Sequence, residues 1–479
     1  MNKKVIGRKK EQVILEEALQ SDEAEMVSVI GRRRVGKTFL VTSTYKDQIV
    51  FEITGIQNAP LSLQLRNFRD VLAEFAMPNL PIEPPKDWLA AFQLLRTYLK
   101  TKLSEKKIVI FLDELPWLAT HKSGFLQAFG YFWNSWASRQ NLVVVICGSA
   151  ASWMIKKVVH DKGGLHNRIT KRITLLPFTL AETEEFLNSR SIRLDRYSIL
   201  QLYMAMGGIP HYLKEIRRGK STAQNIDDIC FSATGLLKDE FSKLYTALFK
   251  KPERHISVIR ALATKTKGMT RSELIEKSSL SSGSALTTTL EELVQSGFIS
   301  TYFPFGKNKS GKLYRLTDEY SLFYLRFMEE KINETQDIWK HFSQTQAYKV
   351  WSGYAFESIC LKHLPQIKKA MGISGIYSLA SSFYQKGTTE ISGIQIDLLL
   401  DRKDHVINLF ELKFYNEIYS FTKSDSQTLR RKMSAFRAAT KTKKQLFWTL
   451  VTTFGIQKNQ YSLDIVDTEL DMDILFEET

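Results

Sequence analysis

Cysteine is scarce in this chain: its 479 residues include three, Cys147, Cys230 and Cys360, an odd number at wide spacing. That excludes a disulfide framework and offers no zinc-ligand pattern, so a reduced compartment, the cytoplasm, is the expected setting. Long apolar runs are missing too. The longest, such as Ile108 to Leu112 and Leu142 to Cys147, fall far short of the roughly 20 residues a membrane span needs and read as buried strands. Met1 to Lys10 holds no apolar core of the kind a secretory signal requires. Internal repeats and low-complexity tracts are absent. Acid is in short supply as well: 51 Asp and Glu against 67 Lys and Arg leave a formal net charge of +16, which favours a polyanionic partner, nucleic acid before a membrane surface.

What remains has an ordinary globular composition, on a chain long enough for about three domains at roughly 100 to 200 residues each. Up to about residue 175, the strands Met26 to Ile30, Ile49 to Ile53, Ile108 to Leu112 and Leu142 to Cys147 each precede a helical stretch. This alternation predicts a parallel sheet covered by helices. Pro78, Pro81, Pro84 and Pro85 mark a surface loop before a helix over Trp88 to Leu103. The expected organisation is an α/β core over 1–176, a helical lid over 177–250, a unit over 251–320, a helical connector over 321–350 and a second α/β domain over 351–479. In the third of these, Ile256, Ile259, Leu262 and Ala263 mark a first helix, Thr270 and Glu273 form a capping box for a second, a third spans Ser282 to Gln295, and Phe298 to Phe303 pairs with Lys312 to Leu316. Three helices and a hairpin predict a winged helix-turn-helix. Its wing lysines Lys307, Lys309 and Lys312 can face nucleic acid, although Glu291 and Glu292 on the third helix argue against base readout.

Gly31-Arg32-Arg33-Arg34-Val35-Gly36-Lys37-Thr38 matches G-x-x-x-x-G-K-[ST] between a predicted strand and a predicted helix. Backbone N–H groups of such a loop close on phosphate, the helix N-terminus adds partial positive charge, Lys37 reaches the β and γ phosphates, and Thr38 offers its hydroxyl to Mg²⁺. The strand Ile108 to Leu112 ends in Asp113, suited to the Mg²⁺ shell, and Glu114, suited to orienting an attacking water. Ser149, at the end of the Leu142 to Cys147 strand, is a candidate γ-phosphate sensor. Arg168 is a candidate transition-state cation, in cis or toward a neighbouring subunit, and Gly208-Ile209-Pro210 is a rigid turn that can lie over the base.

In the last domain, Ile394 to Leu400 and Val406 to Lys413 are apolar strands that carry Asp397, Glu411 and Lys413. The period of two puts Glu411 and Lys413 on one face. Asp397 and Glu411 can bind one or two Mg²⁺ ions, Glu357 can complete the shell, and Lys413 can hold the nucleophile or the scissile phosphate. A helix over Ser424 to Lys444 follows, with Lys423, Arg430, Arg431, Lys432, Arg437, Lys441, Lys443 and Lys444 suited to a phosphate backbone.

Ile6-Gly7-Arg8-x-x-Glu11, the phosphate loop, Leu112-Asp-Glu-Leu-Pro-Trp-Leu118, Gly148-Ser-Ala, Gly163-Gly-Leu-His-Asn-Arg168, Leu176-Pro-Phe178 and Gly207-Gly-Ile-Pro210 together resemble the archaeal-type AAA+/STAND-related ATPases. The resemblance implies ATP. One Mg²⁺ at the phosphate loop and a homo-oligomer through the ATPase domain are further expectations. Asn167 stands before Arg168 where the family pattern has glycine. The Asp397, Glu411, Lys413 constellation resembles the PD-(D/E)XK nucleases, whose fold is restriction-endonuclease-like. Two functions follow as expectations: an ATP-driven switch controlling a metal-dependent DNA nuclease, or an ATP-dependent regulator whose nuclease-like domain is inactive and only binds nucleic acid or protein.

Overall fold

The computed structural model describes residues 4–76, 83–103, 106–159, 164–165, 167–307, 311–329, 338–387 and 393–478. Pro78, Pro81, Gly163, His166 and Lys309 lie outside that description. The chain forms two compact units, Met1–Pro177 with Ala247–Lys250 and Phe178–Thr246 with Lys251–Thr479.

The first unit is built on β1 (Glu25–Ile30), β2 (Ile49–Thr54), β3 (Ile108–Asp113), β4 (Leu142–Gly148) and β5 (Lys171–Thr174), in the spatial order β2-β3-β4-β1-β5. All four pairings are parallel. Every residue of β1, β3 and β4 is buried, as continuous apolar strands covered on both faces must be. On one face, the helix Trp88–Lys100 is capped by Asp87, whose carboxylate accepts from the Ala90 N–H at 2.8 Å. Trp88 meets Phe125 edge to face with centroids 4.7 Å apart. The strand order matters for chemistry because β4 lies between β1 and β3. The carboxyl ends of these three strands are therefore neighbours.

The second unit begins with helices, including Leu180–Ser189, Arg196–Met206 and the short Pro210–Leu213. Gly208 is required here by close packing: a Cβ at that position would sit 2.0 Å from the Phe178 carbonyl oxygen. The Phe178 N–H donates to the Gly208 carbonyl at 2.6 Å, and the Tyr203 hydroxyl donates to the Phe178 carbonyl at 2.7 Å. Next come the helices Pro252–Ala263, Arg271–Ser278 and Ser284–Gln295 with an antiparallel sheet of β6 (Met269–Thr270), β7 (Ile299–Tyr302) and β8 (Leu313–Leu316), ordered β6-β8-β7. The Thr270 and Glu273 capping box is formed.

The remaining strands are β9 (Ser378–Gln385), β10 (Ile394–Arg402), β11 (Val406–Lys413), β12 (Tyr419–Ser420), β13 (Gln445–Thr452), β14 (Ile456–Gln457) and β15 (Thr468–Leu470). Five of them form a sheet ordered β15-β13-β11-β10-β9, in which β9, β10 and β11 run antiparallel and β13 lies parallel to β11. The parallel crossover is made by the basic helix. That helix spans Lys423–Thr440, shorter than expected, because Lys441 adopts a left-handed conformation at φ 53° and closes it. Glu357 lies on the helix Gln346–Lys362. Cys147, Cys230 and Cys360 are free and buried.

His363 ties the first helices of this unit to its last domain. Its Nε2 accepts the Leu180 N–H at 3.1 Å while Nδ1 lies 2.8 Å from the Ile359 carbonyl. The pair of contacts requires a neutral ring protonated at Nδ1. Burial pushes the imidazole down to about 4 from its ordinary 6.5. A proton is thus bound more readily by the unfolded chain, and the stabilisation, about 3 kcal/mol, is complete above pH 6.5 and lost as pH falls from 6.5 toward 4. In His363→Gln, whose amide can accept and donate in the same places, denaturant unfolding is expected to lose much of this pH dependence. An unchanged slope between pH 6.5 and 4 would assign it to other groups.

Candidate nucleotide site and carboxylate centre

The phosphate loop leaves the buried end of β1 and enters the helix Lys37–Thr44. Its two glycines answer to different constraints. A Cβ on Gly31 would lie 2.4 Å from the Leu175 carbonyl oxygen, whereas Gly36 caps the helix at φ 93°, a conformation L side chains rarely adopt. Arg32 and Val35 are buried, Arg33 and Arg34 partly so, and the Arg33 guanidinium stands 5.9 Å from the centre of the Trp117 ring. Lys37 Nζ donates to the Arg32 carbonyl at 3.0 Å, folded onto its own loop. The Thr38 hydroxyl donates to Asp113 Oδ2 at 2.7 Å. The phosphate loop and the end of β3 are thereby joined through the two groups able to share one Mg²⁺: a hydroxyl and a carboxylate are the oxygen donors this hard cation takes.

Glu114 follows Asp113 in a left-handed conformation at φ 46°, which turns the chain out of the strand and into the short helix Leu115–Leu118. Its Oε2 accepts from the Ser149 hydroxyl at 2.8 Å and the Ser149 N–H at 3.1 Å. Ser149, expected at the γ-phosphate, here anchors Glu114. Arg168 is exposed next to Asn167, which takes the left-handed conformation at φ 52° where glycine was anticipated. Pro210 belongs to the second unit, as the first residue of the helix Pro210–Leu213.

In the second unit, residues far apart in sequence face one another. Glu357 comes from the helix Gln346–Lys362, Asp397 from β10, and Glu411 and Lys413 from the neighbouring β11. Burial, with the charges of Asp397 and then Glu411 adding to it, pushes the Glu357 carboxyl up to about 8, against the opposing pull of Arg315. Burial would also raise Glu411, but Lys432 and Lys413 outweigh it and leave that carboxyl below its usual range. Lys413, which burial alone would lower, is raised by Glu411. The contacts are Lys413 Nζ to Glu411 Oε1 at 3.0 Å, Lys432 Nζ to Glu411 Oε2 at 2.7 Å, and Arg315 Nη2 to Glu357 Oε2 at 3.5 Å. Asp397 accepts from the Gln395 amide.

Among the described residues, no three His, Cys, Asp or Glu side chains are grouped closely enough to hold a metal ion in this conformation. The donor set nonetheless fits Mg²⁺ in kind, being all carboxylate, and in charge, since the negative field that raises Glu357 is what a divalent cation relieves. The acids are turned to protein donors instead. The basic helix is likewise partly engaged: Lys432 contacts Glu411, Arg430 pairs with Asp464, and Lys444, beyond the helix end, pairs with Asp401 at 2.5 Å.

Residues 6–216 match the model of a family described as an ATPase domain predominantly from Archaea. This stretch is an archaeal-type P-loop ATPase domain. Over 421 residues the chain is 24% identical to an uncharacterized protein of Methanocaldococcus jannaschii, covering 85% of this chain and 87% of the relative. Among solved structures, a Walker-type ATPase of Pyrococcus abyssi is similar over 67% of this chain and 96% of its own, at 16% identity and a TM-score of 0.49. The ORC1 protein of Aeropyrum pernix in complex with DNA is similar over 68% and 93%, at 12% identity and a TM-score of 0.32.

Sequence reasoning missed two residues at the site of the ATPase domain. Arg8, buried and left-handed at φ 56°, donates from Nη2 to the Val35 carbonyl at 3.3 Å and so buttresses the phosphate loop from the N-terminal segment. Its only signal was the Ile6-Gly7-Arg8 opening. Glu52, raised by burial and then by Asp113, sits on the strand beside β3, and an acid inside the apolar run Ile-Val-Phe-Glu-Ile-Thr was the available sign. Lys432 and Arg315 were missed at the second centre, the first counted merely as part of a basic stripe.

The geometry of the ATPase domain makes a separable prediction. Glu114→Gln is expected to bind ATP as the wild type does and to lose hydrolysis by about 10²–10⁴-fold, while Lys37→Ala weakens binding itself. Nucleotide titration and phosphate release measure the two effects, and wild-type turnover in Glu114→Gln would exclude that carboxylate from water activation.

Proposed function

We propose that the protein is an ATP-dependent switch controlling a metal-dependent DNA nuclease, in defence or mobile-element control. In this reading Lys37 and the backbone of Gly31 to Thr38 hold the phosphates, Thr38 and Asp113 hold Mg²⁺, Glu114 orients water, and Ser149 positions Glu114. Arg168, exposed, acts toward a neighbouring subunit of a homo-oligomer formed through the ATPase domain, and Pro210 is a nucleotide-binding candidate contributed by the second unit. Residues 177–250 serve as lid, 251–320 as winged helix-turn-helix, 321–350 as connector and 351–479 as the nuclease-like domain. No helix among the described residues is long and apolar enough to cross a membrane. The three free, buried cysteines support a cytoplasmic setting in this reading.

The observation that carries the nuclease reading is the convergence of Glu357, Asp397, Glu411 and Lys413 within electrostatic reach of one another, on a helix and two adjacent strands. Mg²⁺ bound there would lower the pKa of its water and steady the leaving oxygen. Lys413 is held by Glu411 where it can hold the scissile phosphate, and the exposed Arg431 and Arg437 of the following helix suit the backbone of DNA. The net charge of +16 supports the same partner. A second reading, a regulator whose last domain only binds, is favoured by one feature: every acid of the centre is already engaged by a protein donor.

Plasmid, linear and single-stranded DNA incubated with Mg²⁺ or Mn²⁺, with and without ATP, distinguish these readings. Metal-dependent cleavage that falls at least about 10²-fold in Glu411→Ala, and whose ATP response disappears in Lys37→Ala, is expected. Cleavage indifferent to Glu411→Ala, or none with any substrate, leaves the binding-only regulator.

A further inference from the structure

We propose that Arg315 is the resident counter-ion of the Glu357, Asp397 and Glu411 centre, and that the winged helix carrying it holds divalent cations out of the centre until it moves away. The inference rests on the nuclease reading of that centre.

The winged helix is docked on the last domain along its hairpin. The Phe305 N–H, just past β7, donates to the Ser382 carbonyl of β9 at 2.8 Å, and Pro304 bridges the same residue. The Phe305 ring, partly buried, packs 5.1 Å from Phe436 against the apolar cluster between the basic helix and the sheet. Lys267 Nζ stands 5.7 Å from the centre of the Tyr384 ring. Phe305 therefore anchors the hairpin to protein, while Lys307 and Lys312 stay exposed.

Docking in this way brings β8 to the acids. Arg315 is 8% exposed at its side chain, and its partner Glu357 is 14% exposed. A buried guanidinium is held there only by an acidic partner, and it opposes an incoming cation twice, by occupying the carboxylate and by like-charge repulsion in a poorly solvated site. The origin of the cations is the informative detail. Lys413, on β11, and Lys432, on the basic helix, pair with Glu411 from within the same last domain as the acids. The cations acting on Glu357, Arg315 and then Lys267, both come from the winged helix. Tyr302 of β7 also lies within electrostatic reach of Arg315, Asp397 and Glu357. Lifting the winged helix would remove both positive charges and one side of the enclosure in a single movement.

Mn²⁺ titration of the nucleotide-free full chain, followed by electron paramagnetic resonance of the free ion, reads metal binding without relying on cleavage. All variants carry Asp113→Asn to silence the phosphate-loop site. Arg315→Gln is expected to bind Mn²⁺ at least about tenfold tighter than its parent, Arg315→Lys to stay near the parent, and Glu411→Ala to lose the site. Should Arg315→Gln fail to unfold cooperatively, Phe305→Ala, which loosens the hairpin without touching an acid, takes its place with the same expected tightening. Equal or weaker binding in the folded Arg315→Gln or Phe305→Ala variant, with Glu411→Ala still losing the site, overturns the counter-ion role alone. Absence of a Glu411-dependent site in every variant overturns the metal centre and this inference together.

Discussion

A carboxylate at the buried end of a strand must be met by donors or a cation, because its desolvation is otherwise uncompensated. The two five-stranded sheets and the elements packed on them are arranged around that requirement. In the first, Asp113 accepts from Thr38 and Glu114 from Ser149, so neutral donors from the phosphate loop and from β4 hold the two acids. In the second, Glu411 and Glu357 are met by lysine and arginine. The difference has a chemical sense. Hydroxyls can share a carboxylate with a metal ion, whereas a lysine or arginine competes with the metal for it.

The nucleotide site was legible because its parts are local. The phosphate loop needs one strand, one turn and one helix in succession, and Asp113 and Glu114 need only the apolar run before them. Parallel strands buried on both faces announce themselves as unbroken Val, Ile and Leu. The pairing of Ser149 with Glu114 was not legible, since it depends on β4 being the neighbour of β3, a fact of sheet order that no local pattern carries. Arg8 was hidden for the same reason: 27 residues separate it from Val35.

At the second centre the acids were readable and their partners were not. Asp397, Glu411 and Lys413 lie on strands whose alternation fixes which face they share. Lys432 was visible as a charge, but a basic helix looks alike whether its lysines meet solvent or a buried glutamate. Arg315 lies 42 positions from Glu357 on the far side of a connector, and the wing was read by its lysines, while Phe305 anchors it to the sheet and the basic helix. The ends of helices were off for a simpler reason. Lys441 closes the basic helix with a left-handed residue that is neither Gly nor Asn, so composition gave no stop.

The burial of Phe305 against Phe436 bears on how such chains can be recombined. Apolar surface on the sheet and basic helix is completed by a residue contributed from 251–320, so the two segments share a core even though each has its own sheet. A graft that carries residues 351–479 to another ATPase without the hairpin would expose Phe436 and Phe383 to water, and one that carries the hairpin alone would expose Phe305. The portable cassette therefore starts near residue 251, and shuffling of residues 351–479 is expected to keep both pieces together.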